Sequence, residues 1–561
     1  MASDLIFFAL FLAGLMVIAI GLGAYMERIF SGRLTLLQPI ETRLLSWAGI
    51  SGRGQRWTSY AMAVLTFNAA GFALLFLMLR FQGWLPFSPQ GFGAMGSSQA
   101  FNTAVSFMTN TNWQSYGGET TLSHLSQMMG LTVQNFVSAA TGISVAVAVI
   151  RGLVGRSVQD IGNFWVDLTR AILYLLLPMA ILITLVLIWQ GMPQNLMGSV
   201  NATTLEGAQQ VISQGPVASQ DAIKMLGTNG GGFFNVNAAH PYENATSLTN
   251  LVQIYALLSI PAAFPFFFGR MAGDKRQGVA IFTVMSVLFV IVLLAAYFFE
   301  ANGNALYAGI ADSGVSMEGK ETRFGLAQTV LFVVATTVAS CGAVNAMHDS
   351  LMALGGMIPL FNMLLGEIIY GGVGAGFYGM VLYVVLTVFI AGLMVGRTPE
   401  WLGKKIEARE MKLAAISLLV MPTGVLILSA LSILTGNAQS AVQDAGPHAL
   451  SELIYAYTSG TANNGSAFAG FGANTTWHNT MIGLAMLIGR WGYIVPVLAI
   501  AGGMAAKTRA AETVGTFPTH GRPFMILLTA TILIIGALTF LPVLALGPIA
   551  EQAAISAGQT F

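Results

Sequence analysis

The sequence predicts an all-α integral membrane protein of ten transmembrane helices, arranged as four parallel span–pore loop–span repeats around a pseudo-fourfold pore. Three observations predict it. Of the 561 residues, 55% are hydrophobic and 8% charged, against about 25% charged in a soluble domain. Ten stretches of roughly 20 or more mostly apolar residues are each long enough to cross about 30 Å of hydrocarbon. Four of the connections between spans carry a short helix-like stretch followed by small polar residues, at nearly equal intervals.

The spans lie at about 5–26, 58–80, 125–150, 164–190, 246–270, 277–300, 351–395, 411–435, 480–505 and 524–547. The seventh is too long for one straight crossing. Gly371, Gly372, Gly374, Gly376 and Gly379 are expected to break it. The start, Met1 to Asp4, lacks the basic n-region of a cleavable signal. The connections after spans 1, 3, 5, 7 and 9 hold 18 of the 24 Lys and Arg residues, and the opposite set holds only Lys224, Lys320 and Arg323. The positive-inside rule makes the first set cytoplasmic and puts both termini on the extracytoplasmic side.

The four polar segments follow the apolar stretches Phe101–Met108, Asp221–Leu226, Leu331–Val338 and Leu453–Tyr457. With Asn112, Gly230, Gly342 and Gly465 taken as equivalent, the spacings are 118, 112 and 123 residues. The same orientation of every unit implies parallel repeats about an axis along the membrane normal. The expected division is an N-terminal helix and loop (1–57), repeats at 58–160, 161–275, 276–405 and 406–510, and a C-terminal helix (511–561).

The chemistry of such loops is that of an ion filter. A desolvated potassium ion needs a cage of neutral oxygen dipoles in place of its water, which four loops of backbone carbonyls supply. Aiming carbonyls inward needs dihedrals that glycine permits and that asparagine tolerates best among the others. Irregular backbone at membrane depth is stable only where it is buried in protein or lines a cavity. The filter candidates are therefore Asn110, Thr111 and Asn112; Thr228, Asn229 and Gly230; Ser340, Cys341 and Gly342; and Asn463, Asn464 and Gly465.

Energy coupling is not encoded here. No G-x-x-x-x-G-K-[ST] phosphate loop and no Asp-Lys-Thr-Gly phosphorylation motif occurs. The single cysteine, Cys341, excludes an intramolecular disulfide, and the six histidines show no metal-ligand pairing. No catalytic residue, no cofactor and no nucleic-acid partner is expected, and the intramembrane acids show no enzyme-like constellation.

The stretches Asn110–Tyr116, Lys224–Asn235, Ser340–Val344 with Met347–Ser350, Ala462–Gly470, Gly396–Glu400 and Gly403–Ile406 are similar to the pattern of the potassium-binding A subunits of the bacterial Kdp ATPases, essentially end to end. The resemblance implies a filter formed by the four loops, K+ as the transported ion, a P-type ATPase subunit that hydrolyses ATP, small C and F subunits, and the bacterial inner membrane. A self-sufficient, gradient-driven potassium transporter or channel of the same superfamily is the alternative.

Two intramembrane charges, Glu367 and Arg490, read either as an ion pair between repeats three and four or as the lining of the ion's onward path. The glycine-rich stretch 371–379 is expected to be a non-helical constriction below the filter. Glu119, Glu243 and Asp349 follow filters one, two and three, either as an acidic vestibule or as solvated loop acids.

Overall fold

In the computed structural model, residues 2–303, 315–394, 396–510 and 517–559 are described. The last residue of the expected seventh span and the expected start of the C-terminal segment lie outside them. Ten helices long and apolar enough to cross a membrane are present among the described residues. In chain order with the shorter helices, these are α1 (Ala2–Phe30), an added helix α2 (Gln38–Trp47), α3 (Trp57–Phe81) and α4 (Ser97–Met108), then α5 (Ser126–Val154) and α6 (Phe164–Trp189). They continue as α7 (Val217–Leu226), α8 (Ser247–Met271), α9 (Lys275–Ala301), α10 (Gly325–Val338) and α11 (Ala353–Leu364). The last are α12 (Ala375–Met394), α13 (Ala408–Leu434), α14 (Gly446–Ala462), α15 (Thr476–Ala506) and α16 (Arg522–Ser556). Two small hairpins, Val200–Thr203 with Gln209–Ile212 and Glu400–Trp401 with Lys404–Lys405, are the strands.

Local chemistry sets the helix starts. Asn163, Thr246, Asp274 and Thr475 cap α6, α8, α9 and α15 by accepting first-turn backbone N–H groups, donors that no helix satisfies internally. At helix C-terminal ends, Lys404 Nζ donates to the Gly152 and Met504 carbonyls at 3.1 and 2.7 Å, meeting the negative ends of α5 and α15.

The spans sort by burial. Most of α5, α8 and α12 is enclosed by protein, while α1, α3, α6 and α16 keep broad apolar surfaces outward, as lipid-facing helices must. α1 packs along α8, where Gly23 allows the approach: a Cβ there would lie 2.9 Å from the Ala263 carbonyl oxygen.

The long seventh stretch is two helices. α11 ends at Leu364 and α12 starts at Ala375. The break is therefore 365–374, not 371–379. Gly376 and Gly379 are helical. They serve close packing: a Cβ on Gly376 would lie 2.4 Å from Gly371 Cα. The break itself holds Gly366, Glu367, Tyr370 and Gly374 at positive φ.

Candidate functional site

The four short helices α4, α7, α10 and α14 end at Met108, Leu226, Val338 and Ala462. α14 runs five residues beyond the expected Tyr457, so Thr461 and Ala462 are helix and not filter loop. After each end the chain turns through a left-handed residue, and all four are non-glycine: Asn110 (φ +69°), Thr228 (+47°), Ser340 (+55°) and Asn463 (+62°). Four strained residues at equivalent positions mark the same left-handed turn used four times.

Their polar side chains join one loop to the next. Asn110 Nδ2 donates to the Gly227 and Thr228 carbonyls at 3.2 and 3.1 Å. Ser340 Oγ donates to the Ala462 and Asn463 carbonyls at 3.2 and 3.3 Å. Asn463 Nδ2 donates to Thr111 Oγ1 at 3.0 Å. Loops two and three meet through the backbone, Gly342 N donating to Asn229 O at 3.3 Å, while Thr228 Oγ1 accepts from Val373 N at 3.0 Å in the break. The loops thus contact in the order one, two, three, four and back to one.

The glycines make that ring possible. A Cβ on Gly230 would lie 2.1 Å from Gly342 N, one on Gly342 2.7 Å from Gly465 C, and one on Gly465 1.9 Å from Thr111 O. Gly230 and Gly465 also have φ of +95° and +104° and Asn112 +55°. Gly342 departs from the expectation that these positions share a positive φ, since it is absent from the left-handed set. There glycine is required by the closeness of loop four alone.

A second layer holds the loops. Asn112 Nδ2 donates to Asn135 Oδ1 at 2.6 Å, and Ser138 Oγ to Asn110 Oδ1 at 2.7 Å. Asn229 Nδ2 reaches both Asn110 Oδ1 and Ser138 Oγ. Thr336 Oγ1 donates to the Cys341 and Ala343 carbonyls, and the Cys341 thiol is buried. Lys224 is fully buried between Asp221 and Glu243, at 2.9 and 2.7 Å. Glu243 in turn accepts the Phe233 and Phe234 N–H groups. Sequence reasoning missed Asn135, Ser138, Thr336 and this triad. Polar residues inside an apolar span were the available signal for the first two.

Glu243 is therefore neither vestibule nor solvated loop. Glu119 accepts the Asn235 N–H at 3.1 Å, tying loop one to loop two; burial is the main cause raising its carboxyl above the usual range, against the Asn235 bond. Asp349 accepts from His448 Nε2 at 3.1 Å.

Two cavities flank the ring. One of about 430 Å³ is open and touches Asn112, Gly231, Gly342 and Gly465, one residue or more from every loop. The other, about 30 Å³, touches the left-handed Ser340 and Asn463, together with Glu367, Tyr378, Arg490 and Tyr493. Glu367 and Arg490 share this cavity without forming an ion pair. Glu367 Oε1 accepts from Asn464 Nδ2 at 2.7 Å, and Arg490 Nη2 donates to Ser138 O at 3.2 Å. Glu367 Oε2 and Arg490 Nε have no hydrogen-bond partner among the described residues. The break packs against loops two and three and α5: a Cβ on Gly372 would lie 3.0 Å from Ser340 Cβ and 3.2 Å from Thr228 Oγ1, and one on Gly374 2.1 Å from Gly142 O.

Four short helices whose following loops close into a ring between two cavities, inside a bundle of ten helices long and apolar enough to cross a membrane, define a polytopic membrane protein. The chain belongs to the potassium-transporting ATPase A subunit family, whose model matches residues 9–553. A potassium-transporting ATPase potassium-binding subunit of Rhodospirillum centenum is 60% identical, covering 100% of this chain and 99% of its own. Proteins of the same description from Brucella anthropi and Mesorhizobium japonicum are 56% and 57% identical, each over 96% of both chains. Among solved structures, the potassium transporter TrkH from Vibrio parahaemolyticus superposes with a TM-score of 0.51 at 14% identity, over 86% of this chain and 96% of that one. That likeness concerns the fold.

Proposed function

We propose that this chain is the potassium-binding, non-hydrolytic subunit of an ATP-driven potassium uptake complex. K+ enters the 430 Å³ mouth, exchanges its water for oxygens of the loops around Asn112, Gly230, Gly342 and Gly465, and passes to a P-type ATPase subunit. Small C and F subunits complete the complex in the bacterial inner membrane, with both termini extracytoplasmic. The observation that carries the reading is the ring of four loops, each turned by a left-handed residue and joined to the next by hydrogen bonds. Such a ring fixes a cage size, and cage geometry with dipole number is what separates K+ from Na+.

The four span–pore loop–span units give this ring its pseudo-fourfold reading, with the domain limits expected from the sequence. Below it, Glu367 and Arg490 line a small chamber. The break at 365–374 blocks the straight route, so the ion leaves sideways along these charges towards the ATPase subunit. A pump requires such a block, because a straight pore would return the ion down its gradient.

Calorimetric titration of the purified chain with K+ and with Na+ tests the binding role. Selective K+ binding that disappears in Gly230→Val supports it, and unchanged discrimination in that variant rejects the filter. ATP hydrolysis by the chain free of partner subunits rejects the non-hydrolytic role. Gradient-driven K+ uptake by the chain alone in vesicles would favour the self-sufficient transporter instead.

A further inference from the structure

Beside the mouth, away from the ring, His448 sits among four carboxylates. Its Nδ1 faces Glu551 Oε1 at 3.0 Å, and its Nε2 faces Asp349 Oδ1 at 3.1 Å and Asp444 Oδ2 at 3.7 Å. Glu452 lies one helical turn further along α14. Asp349, Asp444, His448 and Glu452 each present one ligand atom, and the four atoms lie within 4.8 Å of one another.

Glu452 indicates that something is held there. The residue is 0% exposed. Among the described residues its Oε2 accepts only the Gln443 N–H, at 2.8 Å, and its Oε1 has no hydrogen-bond partner. A buried carboxylate oxygen without a donor is costly, and a cation removes that cost.

We infer that Asp349, Asp444, Glu452 and His448 Nε2 form a binding site for one divalent transition-metal cation, with Glu551 as the partner of His448 Nδ1. Three carboxylates around one imidazole favour a dication over the monovalent ion of the filter. The mixed oxygen and nitrogen set suits Mn2+ or Zn2+. Bonds of about 2.0–2.2 Å put neighbouring ligand atoms about 3–4.4 Å apart, so the observed cluster needs only a small contraction. A carboxylate on the far nitrogen of a ligating histidine is the usual device for fixing its tautomer and orientation.

The site joins three separate elements: the segment after loop three, the start of α14, and α16. It also adjoins the mouth. His348, the neighbour of Asp349, lines the mouth, as does Phe468, on which the His448 ring stacks at 5.6 Å. Occupancy would stiffen the wall beside loops three and four.

The test uses the full-length chain in detergent, stripped with a chelator and titrated with Mn2+ by electron paramagnetic resonance and with Zn2+ by calorimetry. The expected result is one ion per chain. Asp444→Asn should weaken binding at least tenfold, and Glu551→Gln by roughly 10–100-fold. Asp444 is one-third exposed, so its variant should fold, which an unchanged melting temperature of the stripped protein verifies. No stoichiometric binding of either ion overturns the site, as does binding unaltered in both Asp444→Asn and Glu452→Gln.

Discussion

The Asn463 side-chain amide donates to the Thr111 hydroxyl at 3.0 Å, joining positions 352 residues apart and closing the fourth filter loop on the first. Asn463 also sits at φ +62°, so one residue supplies both the turn and the bond. Substitutions separate the two. Asn463→Gly keeps the turn and loses the bond, whereas Asn463→Ala loses both, the left-handed conformation costing a further 1–2 kcal/mol or so. Weaker K+ binding is expected in the order wild type, Asn463→Gly, Asn463→Ala, measured by titration. Equal affinity in all three would mean that loop four does not shape the filter.

Gly465 tests the closeness of the loops. An alanine there would place its Cβ 1.9 Å from the Thr111 carbonyl oxygen, a backbone atom that cannot rotate away. Gly465→Ala should abolish K+ selectivity in a Na+ competition assay, while the helical content by circular dichroism stays intact.

Lys224 tests the support behind loop two. Removing one member of a buried ion group leaves the others uncompensated and costs about 3–5 kcal/mol. Lys224→Met should therefore lower the thermal unfolding temperature clearly, and Glu243→Gln should do so as well while freeing the Phe233 and Phe234 N–H groups. A melting temperature within a degree of wild type for Lys224→Met would show that the triad is not a brace.

The His448 cluster predicts a pH dependence in chelator. Its imidazole is raised to about 10 from an unfolded value of about 6.5. The stabilisation from its pairs with Asp349, Glu551 and Asp444, near Glu452, is then complete below about pH 6.5 and is lost as pH rises through about 10. The melting-temperature difference between wild type and His448→Gln should be largest at pH 6 and shrink towards pH 10. A constant difference would exclude a titrating His448.

The break beneath the filter predicts a leak. Deleting 371–374 removes Gly372 from beneath Ser340 and Thr228. In vesicles, the assembled complex should lose ATP-coupled uptake and gain passive K+ flux. Coupled uptake without added leak would place the barrier elsewhere.

Periodicity and composition by themselves determined that there are ten spans, the limits of most of them to within several residues, and the places of the four short helices, and they named twelve filter candidates; the seventh span was read too long by the whole of α11 and the break, and the tenth too short at its end. They could do so because hydrocarbon enforces long apolar helices and admits irregular backbone only inside protein, leaving a strong local signal. What only the tertiary structure decided is which groups touch. Asn110, Ser340 and Asn463 bond to loops more than a hundred residues away, and no local pattern encodes such distances. The break fell at 365–374 because Gly376 and Gly379, although poor helix formers, are held in α12 by packing. Glu367 and Arg490 were legible as buried charges, but not as groups sharing a chamber while bonded to Asn464 and Ser138. Glu243 read as a vestibule acid or a solvated loop acid, and its burial against Lys224 shows it to be neither. A charge's partner is set by the approach of distant helices, which the sequence specifies only through the packing of the whole bundle.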